Sequence, residues 1–383
     1  MEAKQSTSLT YLNTLRTKAG LVPFSTNKAL SRAASSHAKY LTRQQSNGHY
    51  EKKGRKGFTG KTPTDRTLKA GYVSKMVMEN LSINAKDSHD AIDNLLSAIY
   101  HRFVFLSTDK DEIGEGLSRR NISKVKTAYV YNLGSSSLRR LCTKHFDMIP
   151  NVQYVNNVCQ NTAKVIPHAV YLEKQDDIRD QNAKIILYPY KGQRNVPPAF
   201  FIEHPHPLPG SKVSGYPVSV QFNEAYVKNV KLKSFRLFDA QGTEVKKRKI
   251  LTHMNDKNNK LTKYQFAFMP LKRLEYATTY RAEFIVVSDG KKVKKSWRFT
   301  TKKPKGVIYK ITKKTTTLKV GKSRKIVLYF EPKSRVDVLD GMRYTGDLKV
   351  KYLDANTFEV SLPKKLSKRG YSVKANGNTV LIK

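Results

Sequence analysis

Long apolar runs, cysteines and acidic residues are all scarce in this 383-residue sequence. No run of about 18 apolar residues occurs, so the sequence predicts no membrane-spanning helix. The first residues also lack the apolar segment of a secretory leader. Two expectations stay open from this absence: a cytoplasmic protein, or a mature exported domain that is numbered after its leader.

Cys142 and Cys159 are the only two cysteines, and neither belongs to a Cys-x-x-Cys pair. This argues against a zinc site built on cysteine. In an exported protein, an even and closely spaced pair predicts one disulfide that closes a short loop. The alternative is two buried free thiols. A Gly-x-Ser-x-Gly motif is absent too, so a hydrolase with a serine nucleophile has no support.

Acidic residues are far outnumbered, because 72 Lys and Arg against 30 Asp and Glu give a net charge of +42. Such a charge concentrates polyanions at a protein surface. Acidic envelope polymers or another anionic surface are therefore the expected partners. Nucleic acid is a further candidate, although no signature of a nucleic-acid module makes it specific. The alternative is a solvated, lysine-rich surface without a specific partner.

A set of polar motifs occupies the stretch from His49 to Gly116. The motifs are Gly48-His49-Tyr50, Asp65-Arg66 with Gly71-Tyr72, Met78-Glu79-Asn80-Leu81, Tyr100-His101-Arg102-Phe103 and Ile113-Gly114-Glu115-Gly116. Their imidazoles and carboxylates lie in separate segments that only a tertiary fold brings together. Such a set is typical of a polar cleft, a divalent metal site or an acid/base pair. We expect the neighbouring Asp65 and Arg66 to form a structural ion pair.

In this order the motifs resemble those of the CAP superfamily, which contains cysteine-rich secretory, antigen 5 and plant pathogenesis-related proteins and bacterial relatives. The resemblance covers roughly the first third of the chain. It implies an α-β-α sandwich with a central cavity lined by His49, Glu79 and His101. In relatives such histidine pairs can hold zinc, so zinc or another divalent cation is the expected cofactor. The resemblance also implies a secreted, extracellular or periplasmic protein.

The sequence departs from the family pattern at two places. The bacterial Trp and Ser-Pro-Gly before His-Arg are replaced by Leu95 and by Ala98-Ile99-Tyr100. The second cavity glutamate of eukaryotic members would fall near Ala98. It is therefore missing, unless Glu115 replaces it from the following strand.

Local patterns offer a structural explanation for two of the histidines. His37 lies on the apolar stripe of the helix predicted after Asn27, so we expect a satisfied core histidine there. A helix predicted from Ser88 to Tyr100 would end at His101, where the helix dipole favours an imidazolium. His49 lies in a turn and has no such explanation.

The fold class expected from these patterns is α+β: an N-terminal CAP α-β-α sandwich followed by one or two all-β domains. Short strands with turn residues between them indicate a β-sandwich, and the segment around Trp297 resembles bacterial immunoglobulin-like modules. The expected division is a CAP domain at 1–137, an irregular Pro-rich connector with a disulfide at 138–210, an immunoglobulin-like sandwich at 211–302 and a small β-rich domain at 303–383. The protein is expected to be a monomer.

Three functional hypotheses remain, and the sequence does not decide whether the protein is an enzyme. The first is an exported, envelope-associated binding protein with a metal-holding cavity, whose lysine-rich strands at 303–383 are the best candidate for docking on an acidic polymer. The second is a zinc-dependent hydrolase with zinc on His49 and His101, Glu79 as base or orienting group and Glu115 as the other candidate carboxylate. The third is a non-specific polyanion binder, whose affinity would fall steeply with salt.

Overall fold

The computed structural model describes residues 7–121, 124–210, 213–320, 325–331, 342–363 and 370–383. The N-terminal part combines six helices with one four-stranded sheet, and the α+β fold class is confirmed. Its elements are α1 (Thr7–Lys18), β1 (Ser25–Thr26), α2 (Lys28–Gln44), α3 (Pro63–Lys69), β2 (Met78–Ile83), α4 (Ser88–Ser97), α5 (Ile99–Phe105), β3 (Glu112–Arg119), β4 (Thr127–Gly134) and α6 (Ser136–Leu141).

The sheet has the strand order β1-β3-β4-β2 and lies between two helical layers. The alternation along β4 decides which side chain meets which layer, because successive side chains of a strand point to opposite faces. Ala128 and Val130 pack with α2, whereas Tyr129 and Tyr131 join the core formed with α1 and α4. The expected α-β-α sandwich is thus confirmed.

Glycine in β3 lets α2 approach the sheet closely. A Cβ atom on Gly114 would lie 2.0 Å from the carbonyl carbon of Leu30, and one on Gly116 would lie 2.2 Å from that of Ala34. No side chain fits at such distances, because real Cβ atoms essentially never approach another atom this closely. The Ile-Gly-x-Gly motif therefore has a packing role at the contact between β3 and α2.

The helix predicted from Ser88 to Tyr100 is in fact two helices. Ala98 has an extended backbone (φ −83°, ψ 117°) that ends α4 and begins α5. His101 is consequently the third residue of a new helix, not the last residue of a long one. The expectation of an imidazolium favoured by a helix C-terminus is wrong, because the nearby end of α5 is its N-terminus.

Residues 138–210 contain more regular structure than the expected irregular connector. The elements after α6 are β5 (Tyr154–Val155), β6 (Ile166–Pro167), α7 (His168–Arg179), β7 (Ile185–Tyr188) and β8 (Ala199–Phe200). Cys142 and Cys159 form the expected disulfide, with their Cα atoms 5.4 Å apart. Cys159 also pairs with Ser74 in an isolated antiparallel bridge, so the disulfide loop is held against the segment that leads into β2.

The following strands form a sandwich with the strand arrangement of an immunoglobulin domain. They are β10 (Val218–Phe222), β11 (Val230–Phe238), β12 (Lys247–Thr252), β13 (Gln265–Pro270), β14 (Thr279–Ser288) and β15 (Lys291–Thr300), whereas the short β9 (Ser214–Gly215) before them pairs with β8. One sheet has the order β12-β13-β10-β7 and the other β11-β14-β15, which is the four-plus-three topology of constant-type domains. Trp297 is a buried core residue as expected, and its Nε1 donates to the carbonyl of Pro189 (2.9 Å). The first strand, β7, comes from the expected connector.

The C-terminal residues form a second β unit with two four-stranded sheets, β16-β18-β21-β20 and β17-β23-β22-β19. Its strands are β16 (Val307–Ile311), β17 (Thr315–Leu318), β18 (Lys325–Phe330), β19 (Arg343–Tyr344), β20 (Lys349–Asp354), β21 (Thr357–Ser361), β22 (Tyr371–Ala375) and β23 (Asn378–Ile382). A buried ion pair joins this unit to the sandwich, since Arg273 donates to Asp354 at 2.7 Å.

Across the part of the chain that is described, no helix is both long and apolar enough to cross a membrane.

Replacing both Cys142 and Cys159 by Ser should lower the free energy of unfolding by about 3 kcal/mol, because the open chain gains loop entropy in the unfolded state. Urea unfolding of the wild type under oxidising and reducing conditions, beside the double variant, measures this. Reduction should have no effect on the double variant. Equal stability of oxidised wild type and double variant would contradict the expected contribution of the cross-link.

Candidate functional site

Glu79 is the centre of the polar cluster and is almost completely buried. Strand β2 places its carboxylate against helix α3, where Arg66 donates to both carboxylate oxygens at 2.9 and 2.8 Å. His49 approaches from the turn after α2, with its Nδ1 3.0 Å from Oε1 of Glu79. Asn132 of β4 adds a donor at 3.0 Å from Oε2 when its amide nitrogen faces the carboxylate. Four segments that are distant in sequence therefore meet at one carboxylate.

The start of helix α3 explains why Arg66 faces Glu79. Thr62 and Asp65 form a capping box, in which the Thr62 hydroxyl accepts from the Asp65 N–H (3.1 Å) and the Asp65 carboxylate accepts from the Thr62 N–H (2.9 Å). The carboxylate of Asp65 is thus occupied with the helix end. The expected ion pair between Asp65 and Arg66 is wrong, and Arg66 instead spans to Glu79 and to the carbonyl of His49 (3.0 Å).

Glu79 stays ionised in the interior because its neighbours outweigh its burial. Burial alone raises the pKa of a carboxyl group, since it disfavours the charged form. The hydrogen bond from His49 and the positive charge of Arg66 act in the opposite direction. The net effect lowers the pKa of Glu79 below its ordinary value of 4.5.

A second histidine–carboxylate pair lies on helix α5. The Nδ1 of His101 is 3.0 Å from Oε2 of Glu203, whose side chain is only 1% exposed. The same carboxylate accepts from the backbone N–H groups of Ile99 (2.7 Å) and Tyr100 (3.1 Å). Helix α5 has no cap from its own Ala98. Glu203 therefore caps this helix from a remote segment and orients His101 at the same time.

The second glutamate beside the two histidines is Glu203 and not Glu115. Glu115 lies on β3 and accepts a hydrogen bond from the hydroxyl of Ser8 (2.6 Å), away from both histidines. Glu203 follows β8 in the Pro-rich stretch and is separated from His101 by 102 positions. The signal for Glu203 in the sequence is that it is a single carboxylate within a stretch of prolines and aromatic residues.

The rings of His49 and His101 lie close to one another, and we call the space beside them the cleft. Their centroids are 6.4 Å apart and their planes differ by 24°. The side chain of His49 is 35% exposed and that of His101 is 16% exposed, so both are reachable from solvent. Asn80, beside Glu79 in β2, donates to the carbonyl of His101 (2.9 Å) and holds the two halves of the cleft together.

The hydrogen bonds determine which nitrogen of each ring carries the proton. A carboxylate only accepts, so the Nδ1 of His49 and that of His101 must carry the proton. In the neutral rings the lone pair then lies on Nε2. Neither Nε2 has a hydrogen bond to the residues that the structure describes. Each of the two imidazoles therefore keeps an Nε2 lone pair that no described residue occupies.

His37 is a satisfied core histidine, as its place on the apolar stripe of α2 predicts. Its side chain is fully buried, with Nδ1 2.8 Å from Glu51 and Nε2 3.1 Å from the carbonyl of Gly48. Both ring nitrogens are thus in use. His37 supports the turn that carries His49 but offers no group to a ligand.

A metal ion at this site would find two histidine ligands. Both nearby carboxylates already have partners. Glu79 accepts from Arg66 and from Nδ1 of His49, and Glu203 accepts from the N-terminus of α5 and from Nδ1 of His101. Accordingly, the described residues contain no group of three or more His, Cys, Asp or Glu that is placed to hold a metal. This donor set does not fit a zinc site with three or four protein ligands, because at most two protein nitrogens would bind an ion there.

Replacing Glu79 by Gln should lower the free energy of unfolding by about 3–5 kcal/mol, because the buried Arg66 loses its counter-charge. The pKa of Glu79 is lower in the folded protein, so its stabilising contribution is present above about pH 4.5 and is lost as pH falls through the folded pKa. The variant should therefore lose less stability than the wild type over this acid range.

Urea unfolding of both proteins at several pH values measures the effect. The matched control is Glu173→Gln, because Glu173 forms a surface pair with Lys174 and is 64% exposed. It should change the free energy of unfolding by about 0.5 kcal/mol or less. If Glu79→Gln were as stable as this control at neutral pH, the buried ion pair would not have the assigned role.

Comparison with known proteins agrees with the geometry of the N-terminal domain. Residues 9–130 match the family model of CAP, the cysteine-rich secretory protein family. No curated protein matches the chain.

Two solved structures are similar to part of the chain. An outer surface protein of Borrelia burgdorferi is 20% identical, with 33% of this chain and 88% of that chain covered and a TM-score of 0.29. An extracellular protein of Bacillus anthracis that contains an SCP domain is 18% identical, with 34% and 39% covered and a TM-score of 0.29. The family match and the three-layer sandwich together show an N-terminal CAP domain over residues 9–130, which β domains follow in the chain.

Proposed function

We propose that this protein is an exported binding protein whose CAP domain holds a divalent cation between His49 and His101. The observation that carries the proposal is the pairing of each Nδ1 with a buried carboxylate, Glu79 for His49 and Glu203 for His101. This pairing leaves the Nε2 lone pair of each ring available to a metal or to a proton donor.

The carboxylate partners suit metal binding in two ways. A carboxylate on one ring nitrogen fixes the tautomer and the orientation of the ring, and it makes the other nitrogen more basic. Neutral imidazole nitrogen is a good ligand for zinc. Two nitrogens leave the remaining coordination positions to water or to an anionic group of a bound molecule. We therefore expect an affinity well below that of a structural zinc site.

The contacts of Glu79 favour binding over metal-assisted hydrolysis. A general base needs a free oxygen and a pKa near the working pH. Both oxygens of Glu79 accept from Arg66, and the pKa of Glu79 is lowered instead of raised. Glu115 lies outside the cleft. These contacts support an orienting role for Glu79, so we do not assign a hydrolytic step.

The β domains supply the second part of the proposal, which is retention at an acidic polymer outside the cell. Residues 211–383 contain 41 Lys and Arg against 13 Asp and Glu, so they carry +28 of the net charge of +42. The disulfide supports an oxidising compartment.

The face of the β11-β14-β15 sheet that points away from the sandwich core is strongly basic, although Arg236 and Arg281 are paired with Glu244 and Glu283. Glu283 is the single carboxylate on its three strands, whereas six basic side chains lie on the outward face: Lys231, Arg236, Arg281, Lys292, Lys294 and Arg298. We call this surface the basic face. It is a better candidate for the acidic polymer than the strands of residues 303–383, because its cations lie side by side on adjacent strands.

Zinc binding by the purified full-length chain tests the cleft. Isothermal titration should show one site with an affinity in the micromolar range or weaker, and His49→Ala or His101→Ala should abolish it. Glu203→Gln should weaken binding about 10- to 100-fold, because His101 loses its charged partner. The matched control is His253→Ala, since His253 is an exposed histidine in a turn. Zinc binding that survives in both cleft variants would refute the metal site.

Heparin binding at several salt concentrations tests the basic face. The double variant Lys292→Glu with Lys294→Glu should lose about tenfold or more in affinity near 0.15 M salt and should show a shallower dependence on salt. Lys313→Glu with Lys314→Glu makes the same charge change on an exposed turn of the C-terminal unit. If the two double variants weakened heparin binding equally, binding would reflect overall charge and the basic face would have no special role.

A further inference from the structure

A large cavity lies at the junction of the CAP domain and the immunoglobulin-like sandwich, away from the histidine cleft. Its volume is about 670 Å³, within the range of about 300–1,000 Å³ that is usual for small-molecule sites. Helix α1 and Asp93 of α4 form one wall. The opposite wall is the loop 190–197. Junctions between domains are a common place for ligand sites.

The charges around the cavity favour an anion. Lys18, Lys191 and Arg194 line it, and all three side chains are exposed at its mouth. Asp93 is the single carboxylate in the lining. One of its oxygens accepts from the hydroxyl of Tyr11 at 2.7 Å, and the other has no hydrogen bond to a described residue. The cavity thus offers cations for an acidic group and one carboxylate oxygen for a hydroxyl donor.

The rest of the lining favours a hydroxyl-rich ring over an acyl chain. Tyr11 and Tyr190 are half-buried aromatic rings at the cavity, and the Nζ of Lys18 lies 5.7 Å from the ring centroid of Tyr190. The ring of Tyr190 offers an apolar face for the C–H face of a pyranose, and its phenol hydroxyl is a polar group beside that face. Thr14 and Asn195 add exposed polar side chains.

The loop that carries these groups is held in place before any ligand binds. The buried Gln193 accepts from the N–H of Tyr190 (2.9 Å) and donates to the hydroxyl of Tyr188 (3.3 Å). Backbone hydrogen bonds join the loop to strand β15, from Gly192 to Arg298 (2.7 Å) and from Thr300 to Gln193 (2.8 Å). A fixed loop reduces the entropy that binding would cost.

The floor of the cavity is equally firm. Tyr188 and Tyr216 are buried there, and the guanidinium of Arg102 lies 5.1 Å and 4.7 Å from their ring centroids. Arg102 is anchored by the carbonyls of Leu96 (2.6 Å) and Pro217 (2.7 Å). The shape of the cavity is therefore set by packing that involves both domains.

We infer that this junction cavity binds an acidic saccharide, with a sugar ring on Tyr190, its carboxylate or sulfate at Lys18 and Arg194, and a hydroxyl donating to Asp93. The site goes beyond the proposed metal cleft and is separate from the basic face. It would select a particular acidic sugar unit, whereas the basic face would respond to charge alone.

The test is titration of the full-length chain with trigalacturonic acid at about 0.15 M salt, a concentration that screens exposed charges more than about 8 Å apart. EDTA in the buffer removes any contribution of a metal at the histidine cleft. Maltotriose, a neutral trisaccharide, reports how much of the binding needs the carboxylates. Trigalacturonic acid should bind at least about tenfold more tightly than maltotriose, because only the former can pair with the cations.

Site variants separate the cavity from the general charge of the protein. Arg194→Glu and Tyr190→Ala should each weaken trigalacturonic acid about tenfold or more. Two controls should change the affinity for trigalacturonic acid by about twofold or less. One is Lys313→Glu, which makes the same charge change on a remote turn. The other is the basic-face variant Lys292→Glu with Lys294→Glu. Thermal unfolding checks that Tyr190→Ala is folded, and Arg194→Glu serves as the second variant because Arg194 is exposed.

Two results would overturn the inference. One is the absence of binding at millimolar trigalacturonic acid. The other is equal weakening by Arg194→Glu and Lys313→Glu, which would mean that the surface charge acts without a site. EDTA removes any metal from the histidine cleft, and the basic face has its own variant. A negative result for the junction cavity is therefore distinguishable from a negative result for metal binding or for polymer binding at the basic face.

Discussion

Two buried carboxylates determine the arrangement of the CAP cleft. Removing a carboxylate from water is costly unless charged or hydrogen-bonding partners replace the water. Glu79 meets this requirement with Arg66 and His49, and Glu203 meets it with the N-terminus of α5 and with His101. Each carboxylate thereby fixes one imidazole. The chemistry of the cleft is a consequence of how these two charges are kept stable in the interior.

The cleft is completed from outside the domain that contains the histidines. Glu203 follows β8, next to the immunoglobulin-like sandwich, and yet it caps a helix of the CAP domain. The two domains also share one hydrophobic core, in which Leu12 and Leu96 belong to the same cluster as Tyr188 and Tyr216. Helix α5 therefore has a double role: His101 faces the cleft, while its neighbour Arg102 contacts the sandwich and the floor of the junction cavity.

Two kinds of feature can be predicted from the sequence: those with a local cause, and those marked by motifs that occur in the order typical of the family. Those motifs predicted that His49, Glu79 and His101 come together in the folded chain. Glu203 could not be found in this way, because no periodicity relates it to a histidine about one hundred positions away. The break at Ala98 was missed for the same reason: alanine is a good helix former, and the N–H groups freed there are satisfied by the remote Glu203. Composition likewise cannot tell which of the 72 cations are fully buried, as Arg66 and Arg102 are.

The central claim is that His49 and His101 both carry their proton on Nδ1 and present Nε2 to the cleft. Long-range proton–nitrogen correlation spectra of the ¹⁵N-histidine-labelled chain, recorded where the rings are neutral and assigned with His49→Gln and His101→Gln, test this directly. The account predicts the Nδ1–H tautomer for both rings, and a change of that pattern for His101 alone in Glu203→Gln. Spectra with the proton on Nε2 in either ring, or a His101 pattern that ignores Glu203, would contradict it.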